Sequence, residues 1–234
     1  MNIRTTPNPV IRRAGRMLRT LNDRHPWNHN VHFHPWILRS LPQDCQRVLD
    51  VGCGVGDLVL ALSTRAREVD GIDPDQGMVD TAARRCQELP GVRIHRRTLE
   101  EHAAERRSTA AGGSYDAITM VASLHHMPLE TALRDARDLL RPGGRLLVAT
   151  LTTPETAFDH AWDVGNALTN PLIGVVKHPR VAQPTAPAEH AMPVRDPAWS
   201  FGELRERARP LLPGAVLRRR QGFRSTLLWQ KPAG

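Results

Sequence analysis

At 234 residues, with 40% hydrophobic and 24% charged residues, the chain suits one α/β core with a modest insertion, and its composition excludes a disordered or fibrous protein. Apolar runs such as Leu58–Leu62 fall far short of the roughly 18 residues a membrane span needs, and three cysteines without a Cys-x-x-Cys pair argue against a disulfide framework or a zinc site. The net charge of +8 is almost wholly arginine, since lysine occurs only at 177 and 231, and its spread from Arg4 to Arg224 forms no block of the kind a nucleic acid selects.

In chain order, Ile11, Leu18 and Leu21 among Arg12, Arg13, Arg16 and Arg19 predict an amphipathic helix that ends near Asn22–Pro26. A second short helix is expected over Val31–Leu41. From Arg47 onward strands alternate with helices, which predicts a mostly parallel sheet covered on both faces. The strands are expected at Arg47–Val51, Glu68–Ile72, Val92–His95, Asp116–Val121 and Arg145–Thr150. The helices are expected at Gly56–Arg65, Gln76–Glu88 and Glu130–Leu140, the last stopped by Arg141-Pro142-Gly143-Gly144. Residues 152–198 break this rhythm with many prolines and mixed polarity, and are expected to form an insertion over the sheet. A helix over Phe201–Leu211 and a hairpin of Val216–Arg220 with Gly222–Gln230 complete seven strands. The expected organisation is an N-terminal helical lid, 1–46, and a cofactor-binding domain, 47–234, within which 152–198 is a substrate lid.

The most informative segment is Val48-Leu-Asp-Val-Gly-Cys-Gly-Val-Gly56, a buried strand that runs into alternate glycines before a helix. Glycines in such a turn let a ligand approach the backbone and allow positive φ. Asp73, which ends the second strand, follows Asp50 by 23 residues, close to the roughly 20 at which a carboxylate reaches a ribose diol in dinucleotide-binding folds. The third glycine comes one position early for Gly-x-Gly-x-x-Gly, which argues against a bound pyrophosphate.

These segments, with Gly71-Ile-Asp-Pro-Asp-Gln-Gly-Met78, Tyr115–Met127 and Leu139-Leu-Arg-Pro-Gly-Gly-Arg145, resemble the class I S-adenosylmethionine (SAM)-dependent methyltransferases, in the branch that includes the ubiquinone and menaquinone methyltransferases. The likeness covers about Arg47–Leu151 and implies a Rossmann-like fold with SAM as cofactor. By that resemblance Asp50, Gly52, Cys53, Gly54 and Gly56 would surround the methionine part of SAM, and Asp73 with Pro74 would hold the ribose. Met78 would pack on the adenine, Thr98 and Leu99 would flank its edge, and Ala122 would offer a carbonyl to the amino group. Relatives often carry aspartate where Thr98 stands, and Glu100 is the substitute to consider.

Transfer of a methyl group from a sulfonium is a displacement on an activated carbon, so the protein contributes alignment and, for a protonated acceptor, a base. His125 and His126 follow the fourth strand at the carboxyl edge of the sheet, and an imidazole titrates near neutral pH, so they are the candidate base. No spacing of His, Asp and Glu calls for a metal. Trp27, His29 and His32 of the cluster His25–Trp36, together with Trp162 of the insertion, are the expected acceptor contacts. The Asp/Asn-Pro-Pro-aromatic motif of nucleobase amino methyltransferases is replaced by Val121-Ala-Ser-Leu-His-His126, which favours a small organic acceptor. A tRNA or rRNA methyltransferase and a SAM-binding protein without transfer are the alternatives. The N-terminus shows no secretory apolar stretch, so a cytoplasmic monomer or homodimer is expected.

Overall fold

The computed structural model describes residues 29–108, 115–177 and 197–233. Among them a short 3-10 turn, Val31–Phe33, leads into α1 (His34–Ser40), and β1 (Arg47–Val51) and α2 (Asp57–Leu62) follow. Next come β2 (Glu68–Asp73), α3 (Gln76–Cys86), β3 (Val92–Arg96), α4 (Leu99–Ser108) and β4 (Tyr115–Val121). The chain then runs through α5 (Leu129–Leu139), β5 (Leu140–Thr150), α6 (Ala157–Lys177), α7 (Phe201–Ala208), β6 (Val216–Arg220) and β7 (Arg224–Gln230). The expected first helix, residues 11–21, lies outside the described residues.

The strands form one seven-stranded sheet in the order β3-β2-β1-β4-β5-β7-β6. Neighbours from β3 to β5 are parallel, and β7 lies antiparallel between β5 and β6. This is the Rossmann-like, mostly parallel architecture expected from the strand and helix rhythm. Strands buried on both faces carry continuous apolar runs, and β1 shows what each residue does there. Leu49 and Val51 join the core under α4, α5 and α7, whereas Val48 joins Ile37, Leu58, Val59 and Leu62 on the other face. Leu146 and Val148 of β5 likewise part from Leu147.

Three elements depart from the sequence expectation. Helix α4 follows β3 where no helix was assigned, and α6 occupies 21 residues of the stretch read as irregular. Strand β5 begins at Leu140 instead of Arg145, because the Arg141–Gly144 excursion is held at the sheet. Tyr115 pairs with Leu140 and Ala117 with Arg145, while Gly143 donates to the Lys231 carbonyl and Lys231 N–H donates to Gly144. The proline ends α5 as expected, and the helix-end carbonyls of Arg137 and Leu140 accept from the Lys231 ammonium at 2.8 and 2.6 Å.

The described residues fall into two compact units, one of 30–153, 197–220 and 224–233, the other containing His29, 154–177 and Gln221–Phe223. In the smaller unit α6 opens with Thr156 and Asp159 capping one another, Phe158 and Trp162 stack with ring centres 6.2 Å apart, and Asn166 Oδ1 accepts from Gly222 N–H. No helix among the described residues is long and apolar enough to cross a membrane.

Candidate functional site

The carboxyl ends of β1, β2 and β4 surround a cavity of about 340 Å³ at the point where the strand order reverses between β1 and β4, the usual place for a ligand in an open α/β sheet. Its shape follows from how the turn after β1 is pinned. Gly52 N–H and Cys53 N–H both donate to the Ile72 carbonyl, at 2.8 and 3.0 Å. Gly54 N–H donates to Asp73 Oδ2 at 2.9 Å, and Asp75 N–H donates to Asp73 Oδ1 at 2.9 Å.

Gly52 and Gly54 both adopt left-handed φ, +71° and +53°. A Cβ at Gly52 would overlap the Cβ of Ser123, whereas one at Gly54 would meet nothing within 4 Å. The first glycine therefore lets β4's exit turn close beneath the loop, and the second leaves backbone bare toward the cavity. Each carboxylate oxygen of Asp73 has a second lone pair, so after holding the loop Asp73 can still accept two hydroxyl donors. Its side chain is mostly sequestered, with the residue 8% exposed.

Of the residues nominated from the sequence, Gly52, Gly54, Asp73, Pro74, Met78, Thr98, Leu99, Ala122 and His126 line this one cavity. Met78 is fixed at the start of α3, where its N–H donates to the Asp75 carboxylate at 2.9 Å. Thr98 and Glu101 cap α4 reciprocally, so the Thr98 hydroxyl accepts from Glu101 N–H at 3.2 Å. Ala122 takes a left-handed φ of +54° and donates to the Ala149 carbonyl at 2.7 Å. A non-glycine residue held in this region by its surroundings is a mark of functional sites.

Among the described residues of the larger unit, the remaining nominees do not line the cavity. Asp50 is 2% exposed, its Oδ1 accepts from the Thr119 hydroxyl at 2.7 Å, and burial pushes its carboxyl up to about 7. Cys53 is buried with its thiol raised by burial, and its Sγ lies close to Gly71. Gly56 caps α2 against Ala82, and Glu100 is exposed on α4. His125 is 5% exposed and its ring lies 4.1 Å from that of His126, so the structure separates the pair into one buried and one cavity-lining imidazole. His32 is exposed and packs edge-on against Phe33, His29 and Trp162 belong to the smaller unit, and Trp27 lies outside the described residues.

Asn30, Val51, Ile72, Asp75, Arg97, Val121, Ser123 and Met127 complete the wall. Ser123 is the most consequential of those the sequence reading passed over. Its hydroxyl donates to the Val51 carbonyl at 2.6 Å and ties β4's exit to β1. Asp75 had a visible signal, an aspartate three residues before Met78 at a helix start. Among the described residues no three His, Cys, Asp or Glu side chains converge as a metal would require.

Residues 48–144 match the family model described as a methyltransferase domain. An uncharacterized methyltransferase of Mycobacterium tuberculosis is 32% identical over 209 residues, which cover 88% of this chain and 98% of that one. A ubiquinone biosynthesis O-methyltransferase of Xanthomonas axonopodis pv. citri is 38% identical over 115 residues, 48% of this chain and 46% of its own length. Among solved structures the fold is shared with the SAM-dependent methyltransferase SibL in its apo form, at a TM-score of 0.58 and 20% identity, covering 87% of this chain and 55% of that one. The identity along nearly the whole of a relative's length, with the matched domain spanning the very strands that build the cavity, makes this chain a member of the methyltransferase family.

Proposed function

We propose that the cavity binds SAM and that the protein passes its methyl group to an oxygen, nitrogen or carbon of a small organic acceptor. The observation that carries this reading is the bare backbone of Gly54 beside a carboxylate, Asp73, that retains acceptor capacity. When bound, the cofactor supplies a methyl carbon activated by a sulfonium and open to in-line displacement. Gly54 admits close approach of the methionine part, Gly52 lets Ser123 close beneath the loop that bears it, and Asp73 accepts both ribose hydroxyls. Met78 and Leu99 pack on the adenine, and the Ala122 carbonyl accepts from the amino group. His126, the cavity-lining member of its pair, takes the proton of a hydroxyl or amine acceptor, while buried His125 supports its ring. Alignment and exclusion of water are the protein's main contributions to such a displacement.

Isothermal titration of the purified chain with SAM and separately with NAD tests this. Micromolar SAM binding that Asp73→Ala weakens at least tenfold, about 1.4 kcal/mol, is the expected result. Absence of SAM binding, or tighter NAD binding, would overturn it.

A further inference from the structure

The turn that leaves β4 carries a strained residue at its centre. Ala122 has a left-handed φ of +54°, and among the described residues only Phe223 shares that region without being glycine. The Cβ of an L-residue disfavours this conformation, so the surroundings have to hold it. Two hydrogen bonds do so, one from each side. Ala122 N–H donates to the Ala149 carbonyl of β5 at 2.7 Å, and the Ser123 hydroxyl donates to the Val51 carbonyl of β1 at 2.6 Å. The turn is thereby clamped between the two strands that flank β4.

The packing of Ser123 is as specific as its bond. The residue is buried, and a Cβ added to Gly52 would lie 2.4 Å from the Ser123 Cβ, so this side chain rests directly against the glycine turn after β1. The 3-10 turn that follows starts from the same residue, because His126 N–H donates to the Ser123 carbonyl at 3.0 Å. Val121, Ala122, Ser123, His126 and Met127 all line the cavity. One hydroxyl therefore sets how this side of the cavity stands against the glycine turn.

We propose that Ser123 is a positioning residue of the cofactor site, whose hydroxyl holds Ala122 in the left-handed conformation and so aims the Ala122 carbonyl at the amino group of the methionine part. This rests on the assignment of the cavity to SAM. Without that bond Ala122 is free to return to negative φ, where L-residues are at ease, and the rotation carries its carbonyl to a new direction. A hydrogen bond to an ammonium is one of the stronger kinds. Its loss weakens the hold on the amino acid end of the cofactor and leaves the nucleoside end, at Asp73 and Met78, as it was.

The test titrates the full chain with S-adenosylhomocysteine and with 5′-methylthioadenosine, which keeps the nucleoside and the sulfur but lacks the amino acid part. Ser123→Ala is expected to weaken S-adenosylhomocysteine about tenfold or more and methylthioadenosine by no more than about twofold. In an Ala122→Gly background, where left-handed backbone needs no holding, the loss that Ser123→Ala causes should shrink to about threefold or less. Ser123→Cys, whose thiol is a weak donor, carries the test if Ser123→Ala does not fold, with a smaller loss confined to S-adenosylhomocysteine. Equal weakening of both ligands, no weakening of either, or an undiminished loss in the Ala122→Gly background overturns the proposal. Failure of S-adenosylhomocysteine to bind the unaltered chain would instead sink the SAM assignment. Amide hydrogen exchange of the ligand-free chain still reads the clamp, through faster exchange of residues 122–127 in Ser123→Ala, and unchanged exchange there overturns it.

Discussion

Gly52 and Gly54 share a turn and a left-handed backbone but differ in what surrounds them, and substitution separates the two contributions. Gly54→Ala carries only the left-handed penalty of about 1–2 kcal/mol, while its methyl enters the open space where the ligand would lie. SAM affinity should therefore fall further than thermal stability. Gly52→Ala adds an overlap with Ser123, and overpacking of this kind costs about 1–3 kcal/mol more, so its melting temperature should drop clearly below that of the Gly54 variant. Asp50 makes a different demand, on pH. Its folded carboxyl titrates near 7, above the value in an unfolded chain, so the stability it contributes is present below about pH 4 and is lost as pH rises through 7. His102, pulled down to about 4 by burial, acts with the opposite sign, because its contribution is present above about pH 6.5 and is lost as pH falls through 4. Asp50→Asn removes the first trend alone. Relative to the unaltered chain, the variant's urea midpoint should gain between pH 5 and pH 8 by the equivalent of about 3 kcal/mol, since about two units separate pH 5 from the folded value of about 7, at about 1.36 kcal/mol per unit. A difference that does not change with pH would sink this account.

Helix starts carry the argument at the next scale. Thr98 with Glu101, Thr156 with Asp159, and Ser200 with Glu203 each form reciprocal side-chain and backbone hydrogen bonds at the start of α4, α6 and α7. Two of these helices, α4 and α6, are the ones the hydrophobic rhythm did not reveal. In α4 the charged run Glu100-Glu101 and Arg106-Arg107 hides a buried stripe of only Leu99, His102 and Ala103. In α6 an internal proline, Pro171, reads as a breaker although the helix runs through it. The Ser/Thr-x-x-Glu/Asp pattern was legible in both places. Thr98→Ala and Ser200→Ala should each lower stability by about 1 kcal/mol in chemical denaturation. Only Thr98→Ala should also weaken SAM binding, since Thr98 alone of the two lines the cavity.

Across the whole sheet, the cavity occupies one edge and a buried polar network secures the other. Tyr115, fully buried at the start of β4, donates to Asp70 Oδ2 at 2.6 Å and accepts from Arg106 at 3.1 Å, with His102 Nε2 at 2.9 Å. Arg47 and Arg93 reach the same aspartate from β1 and β3, so four strands and α4 meet through one carboxylate. Burial and the Asp70 carboxylate push the phenol far above its ordinary value, and it remains the donor at any working pH. Tyr115→Phe leaves buried partners unmet, which costs about 1–3 kcal/mol. Because the network lies at the opposite end of the strands, calorimetry should show the lowered melting temperature with SAM affinity unchanged. A parallel loss of affinity would mean that the two edges are coupled.

The strand and helix alternation, the glycine turn and Asp73 were readable from the sequence because each is a local demand: apolar strands buried on two faces, backbone bared to a ligand, an acid at a strand end. Their convergence was not. Asp50 sits one residue from the turn yet points into the sheet interior, because alternation along β1 decides which face a side chain takes. His125 and His126 are equivalent in sequence, and only the 3-10 turn after β4 buries one and gives the other to the cavity. Ser123 gained its place from contact with Gly52 across 70 residues of chain, and Asn30 gained its own from Arg224 at the opposite end. Spacing along a chain fixes what a segment can do, whereas the packing of distant segments fixes which of its side chains face the same empty space.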